Sequence, residues 1–159
     1  MVGHTVRMAN LTKRVAKKLA DRLDEGETVT VALLVETPGT YGGGAVGLVL
    51  APRVMRPRLE QVAREERADQ VGQAVEFPLG SCALVATDQR IIVVLSNGLI
   101  FGKTVLDLPL GGLRIGGVRQ RLLARQVELV FSDGSSVTVD VQRAQPFKAF
   151  VAALGSSGV

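Results

Sequence analysis

Apolar residues recur at every fourth position over residues 11–24. Leu11, Val15, Leu19 and Leu23 fall on one face, while Lys13, Arg14, Lys17, Lys18, Asp21 and Arg22 occupy the other. That spacing predicts an amphipathic helix with Asn10 as N-cap and Asp24-Glu25-Gly26 as its stop. The period then changes. TVTVALLVET, residues 28–37, is rich in β-branched residues between turn formers and predicts a buried strand, within a first-strand unit over 25–36. Six further runs of this kind fill residues 81–143: SCALVAT, RIIVVLS, LIFGKTVLDL, LRIGGV, RQVELVF and SVTVDVQ. Asp88, Asn97-Gly98 and Ser132-Asp133-Gly134-Ser135 punctuate them as hairpin turns, Asp88 being expected to accept backbone N–H groups in its turn. AQPFKAFVAAL, residues 144–154, returns to a helical period beginning near Pro146, with Phe147, Phe150, Val151 and Leu154 on one side. It predicts a helix that plugs one end of a β structure.

Residues 37–80 break this order. TPGTYGGGAVGLVLAP is uncharged and glycine-rich, and the charged segment after it predicts an exposed helix from about Arg58 to Gln70. Gly39, Gly43 and Gly47 repeat every four residues, the spacing of close helix contacts in membranes. The apolar segment is far below the roughly twenty residues of a bilayer span. Three roles remain for it: a loop or short helix packed on the sheet, a self-association surface through Gly43, Gly47, Leu48 and Leu50, or a lipid contact.

The chain has 159 residues, 47% of them hydrophobic, which suits one domain over 1–159 and excludes a largely disordered protein. Its one cysteine and one histidine exclude a disulfide framework, most metal sites and nucleophilic triads. Cys82 reads as a core residue, and the cysteine usage and lack of an apolar leader point to the cytoplasm. The net charge is +4, with fourteen arginines among nineteen basic residues, and the five phenylalanines lie in apolar surroundings. Stacking aromatics interleaved with cations are missing, so nucleic acid is not an expected partner.

No cofactor is expected either. Gly42-x-Gly44-x-x-Gly47 matches the dinucleotide pattern, yet it stands away from its strand and no second βαβ unit follows. Residues 98–104 fall one residue short of a phosphate loop and run into a strand. Asp88, Asp107, Asp133 and Asp140 are placed at turns or strand ends, where capping is their ordinary role. Arg114, Arg119, Arg121 and Arg125 fall within twelve residues with no acid before Glu128. Their guanidinium forks are the candidate anion contacts, unless they form a solvated cluster.

The order of these pieces is similar to a known family. Gly26-Glu27-Thr28-Val29 opens the first strand, then follow ALVATDQRIIVV with its Thr87-Asp88-Gln89-Arg90 turn, VLDLPLGGL, VELVFSDGSSVTV and a final Phe-containing helix. This resembles the short bacterial pleckstrin-homology-like (PH-like, GRAM-related) domains over residues 25–36 and 80–154. The resemblance implies an α+β, mainly β fold: a bent, partly open seven-stranded antiparallel barrel with a C-terminal capping helix. The N-terminal amphipathic helix and the 37–80 insertion after the first strand would be additions to it. That insertion replaces the loop where many PH domains hold phosphoinositides, so no lipid ligand carries over.

The expected function is a non-enzymatic binding or scaffolding module acting through a protein partner or homo-oligomer. The alternative is a peripheral module at the inner face of the membrane, with Lys13, Arg14, Lys17, Lys18 and Arg22 on anionic lipid and the glycine-rich segment inserted. A nucleotide-binding protein or enzyme is the third reading.

Overall fold

The computed structural model describes residues 11–38, 72–97 and 100–155. Seven antiparallel strands form one sheet: β1 (Val29–Glu36), β2 (Ser81–Thr87), β3 (Arg90–Ser96), β4 (Phe101–Pro109), β5 (Leu113–Gln120), β6 (Ala124–Phe131) and β7 (Ser136–Gln142). Their order across the sheet is β4-β3-β2-β1-β7-β6-β5, so β1 lies at the centre and joins two halves. It pairs with β2 along its whole length but meets β7 only through Val35–Val141 and Glu36–Asp140. Among the described residues three α-helices accompany the sheet: α1 (residues 11–18), α2 (Gln73–Glu76) and α3 (Phe147–Gly155). The protein is thus a mainly β, α+β fold.

Strand alternation sorts the apolar residues into two layers. Val31, Leu33 and Val35 of β1 point into the inner core with Cys82, Leu84 and Ala86 of β2 and Ile91 and Val93 of β3. Val127, Leu129 and Phe131 of β6 and Val137, Val139 and Val141 of β7 complete that core, and Phe150 and Leu154 of α3 plug it. The intervening residues Ala32, Ala83, Val85, Ile92 and Val94 face the other way and meet Leu11, Val15 and Leu19 of α1. With both faces covered, β2 and β3 read as continuous apolar runs rather than alternating ones. The alanines at positions 32 and 83 keep that outer surface low under α1. A register shift between Val29 and Val31 also turns Val29 to the α1 side.

Several boundaries differ from the sequence expectation. The helix expected over 11–24 is α-helical only over 11–18, then tightens to a 3-10 turn at Ala20–Arg22 and is extended by Leu23. The last helix, by contrast, starts at Phe147, next to Pro146 as expected, after a turn at Ala144-Gln145 in which the Gln145 N–H bonds the Gln142 carbonyl. The Leu113 strand runs on to Gln120. The Asn10 cap, the Arg58–Gln70 helix, Gly39, Gly42 and Gly44, and the candidate contacts Gly43, Gly47, Leu48 and Leu50 lie outside the described residues.

The two layers predict unequal responses to truncating a leucine. Leu19 is fully buried between α1 and the sheet, whereas Leu122 at the β5–β6 tip is 86% exposed. Leu19→Ala is expected to cost about 2–5 kcal/mol in denaturant unfolding. Leu122→Ala is expected to stay within about 0.5 kcal/mol of the parent.

Candidate functional site

Among the described residues the densest polar cluster is built around Arg90, the first residue of β3. Its Nε donates to Glu27 Oε1 at 2.8 Å and its Nη2 to Glu27 Oε2 at 3.1 Å, a two-pronged pair on a carboxylate whose side chain is fully buried. Nη2 also donates to the Arg22 carbonyl at 2.8 Å, and Nη1 to Asp107 Oδ2 of β4. Glu27 accepts two more hydrogen bonds, from the Thr87 hydroxyl at 2.7 Å and from the Asp24 N–H at 2.8 Å. The Arg90 guanidinium, helped by Asp24 N–H and Thr87, holds the Glu27 carboxyl at about pKa 2 against the opposing effect of burial. Arg90 is correspondingly held even more firmly protonated, chiefly by Glu27.

This cluster is a lock: both Glu27 oxygens and all three Arg90 guanidinium nitrogens are engaged within it. It also changes the expected role of two aspartates. Asp107 is an ion-pair partner rather than a cap. Asp88 accepts from Thr28 N–H at 3.0 Å, across to the start of β1, while the tight turn is closed by Thr87 Oγ1, which accepts from Gln89 and Arg90 N–H.

Asp133 and Ser135 form a second constellation. The β6–β7 turn is closed by Asp133 Oδ1, which accepts from Ser135 N–H at 3.0 Å and from the Ser135 hydroxyl. Asp133 Oδ2 then accepts from Gln73 N–H at 2.7 Å, and Ser135 Oγ from Ala74 N–H at 3.1 Å. Two orphan N–H groups of α2 are thus satisfied by a hairpin 60 residues further along, in the place of a local cap. The Ser135 hydroxyl and these N–H donors lower the Asp133 pKa. Phe77 completes the docking against Phe131, with ring centroids 6.3 Å apart.

The four candidate arginines separate. Arg114 stands opposite Val130 and Arg119 opposite Gln126, both on the sheet face away from the core. A bulge puts them on one face: the register shifts between Ile115 and Gly117, which moves Arg119 over from the core side. Gly116 sits at that bulge, and a Cβ there would lie 2.3 Å from Glu128 Oε1 and 2.7 Å from Val130 Cγ2. Arg125 falls on the core side, with its guanidinium carbon 5.4 Å from the Phe147 ring centroid, where it helps seat α3. Arg121 lies at the hairpin end, donates to Gln126 Oε1 at 3.4 Å and has its carbonyl held by Arg143 Nη2 at 2.6 Å.

Arg119, Arg121 and Arg143 therefore gather around one hairpin end, away from Arg114. Across the four strands the row reads Arg119, Gln126, Asp140, Glu36. Asp140 lies inside β7, not at its end, and burial raises its pKa although Arg121 opposes the shift.

Of the N-terminal cations, Arg14 lies over Phe101 and Arg22 donates to the Gly102 carbonyl at 2.6 Å, so both help hold α1 to β4. Lys13, Lys17 and Lys18 are exposed. The apolar face of α1 is buried and cannot enter a membrane in this arrangement.

No protein-family model matches the chain, and no curated protein matches it. Among the described residues there is no group of three or more His, Cys, Asp or Glu side chains placed to hold a metal, and no helix long and apolar enough to cross a membrane. Two features were missed in the sequence. One is Leu122-Leu123, exposed at 86% and 61% at the β5–β6 tip. The other is the Glu27–Arg90 lock, whose only sequence trace is a Glu before the first strand and an Arg after a Thr-Asp turn.

The lock makes acid stability depend on Glu27. Its pKa is lower in the folded chain than the ordinary 4.5, so its contribution is complete above that value and disappears as pH falls towards 2. The corresponding stability is on the order of 3 kcal/mol. Glu27→Gln is expected to lower the unfolding free energy at pH 7 and to flatten its fall between pH 5 and pH 2, followed by urea titration of both proteins. The α2 anchor gives a second expectation. Gly72 has φ +70° and a Cβ there would lie 2.3 Å from Asp133 Oδ2. Gly72→Ala should speed hydrogen exchange at the Gln73 and Ala74 amides while leaving β2 and β3 protected.

Proposed function

We propose that this chain is a non-enzymatic PH-like binding or scaffolding module that acts through protein–protein contact, with a second copy of itself as the first partner to test. Three features support the PH-like part: seven antiparallel strands, a central β1 that joins two half-sheets, and a C-terminal helix seated in the inner core. A cytoplasmic setting accompanies this reading.

The free edge of β5 carries the contact part. Among the described residues β5 pairs only with β6, and its residues 116–120 are exposed. The two sheet edges differ in kind. Pairing of β4 to β3 is interrupted by two register shifts, and β4 bears Lys103 and ends in Pro109, features that blunt an edge. Beyond its single bulge, β5 is regular from Gly117 to Gln120. Unpaired N–H and C=O groups on a regular edge are a template for an added strand. Two β5 edges running antiparallel about a two-fold axis would satisfy each other.

Light scattering on a size-exclusion column at low and high salt tests this reading. A discrete oligomer that persists at high salt is expected, and Val118→Lys, which puts a charge at the exposed edge, should convert it to monomer with an unchanged melting temperature. A monomer at every concentration overturns self-association.

A further inference from the structure

We infer that the β5–β6 hairpin tip is a membrane-insertion element for anionic bilayers. Leu122 and Leu123 are adjacent, 86% and 61% exposed, and form the turn between β5 and β6, just beyond the Ala124–Gln142 pair that ends the β6–β7 pairing. A buried position was available to neither: the Arg121 N–H bonds the Ala124 carbonyl across the turn, which leaves the two leucines as the convex tip. Arg119, Arg121 and Arg143 are exposed behind them, and no acidic residue occurs between Asp107 and Glu128. Asp140, inside β7, feels the Arg121 charge, which opposes the rise that burial gives its pKa.

Geometry and charge select a bilayer over a protein partner. A convex pair of aliphatic side chains offers little area to a folded surface, whose energetic centres are buried pockets holding Trp, Tyr or Arg. A lipid surface closes around such a tip without a preformed pocket. Arg119, near the end of β5, lies three residues before Leu122. When the leucines enter the acyl boundary, the guanidinium groups reach headgroup phosphates and carboxylates while their stems stay in the apolar layer. The charge complementarity is with anionic lipid specifically. This inference uses the tip side chains and leaves the β5 backbone edge untouched, so it stands or falls separately from the self-association reading.

The chain contains no tryptophan, so Leu122→Trp places a single reporter at the tip. Its emission should shift to the blue with vesicles of phosphatidylcholine mixed with phosphatidylserine, and stay unchanged with phosphatidylcholine alone. Unmodified protein should co-sediment with the mixed vesicles, less at high salt. Leu122→Asp with Leu123→Asp should abolish that binding without lowering the melting temperature. Arg119→Gln should weaken it roughly fivefold. Lys17→Glu with Lys18→Glu should retain it, which separates the tip from α1. The inference is overturned by an unshifted Trp emission, by binding that the two aspartates leave intact, or by a loss confined to Lys17 and Lys18. It is equally overturned if the aspartates change only the oligomer mass, which would make the tip a protein contact.

Discussion

The bidentate pair between Arg90 and the buried Glu27 carboxylate is the contact on which the arrangement of this protein depends. One guanidinium ties the start of β3 to the chain entering β1, to the carbonyl of Arg22 at the end of the 3-10 turn, and to Asp107 of β4. Separate segments of chain are thereby fixed by a single planar group. A lysine could not replace it, because a point charge would satisfy one oxygen and lose the fork. Burying the carboxylate is tolerable only because its partners are so complete. Thr87, Asp24 and Arg90 supply four donors to two oxygens, and the cost of removing the charge from water is offset by those bonds.

With that corner fixed, the two-layer packing follows. The 3-10 turn at Ala20–Arg22 ends α1 where Arg22 can reach back to the Gly102 carbonyl, so α1 lies across β1–β4 and not away from them. Its leucines and valine close the outer layer, and the alanines of β1 and β2 make room for it. The inner layer is closed independently by α3, seated partly through Arg125 over Phe147. The β1–β4 half thus carries a second cover, while the inner core plugged by α3 is shared by both halves, whose strands pair directly through the short β1–β7 contact.

Local chemistry was legible in the sequence, and remote chemistry was not. Ser81–Thr87, Arg90–Ser96 and Ser136–Gln142 were readable to the residue, because β-branched runs there end abruptly at turn formers. The seven-strand count and the final helix were legible for the same reason. Asp88 was misjudged because its partner, Thr28 N–H, lies 60 residues away. The arginine cluster looked like one site since spacing along the chain ignores alternation. Arg125 turns to the core side, and the bulge at Gly116 decides the face of Arg119. A bulge is one extra residue in one strand, visible only against its partner. Leu122-Leu123 were hidden by composition, since two leucines beside a strand look like core until the turn that lifts them out is known.

The distribution of these contacts bears on how the surface can work. The lock sits at the start of β1, whereas the row of Arg119, Gln126 and Asp140 reaches β1 at its last residue, Glu36. The eight-residue β1 runs between them, roughly 23 Å from Val29 to Glu36. The β5–β6 hairpin is held to the rest by β7 pairing and by Arg143 on the Arg121 carbonyl, and Leu122 and Leu123 at its tip belong to neither core cluster. The side chains of Leu122 and Leu123 stand outside that packing, whereas the adjacent Ala124 is buried and Arg125 seats α3. An element that projects from a stable frame, and whose substitution leaves that frame intact, is where a binding surface can be tuned separately from stability. In this chain the free edge and tip of the β5–β6 hairpin meet both conditions.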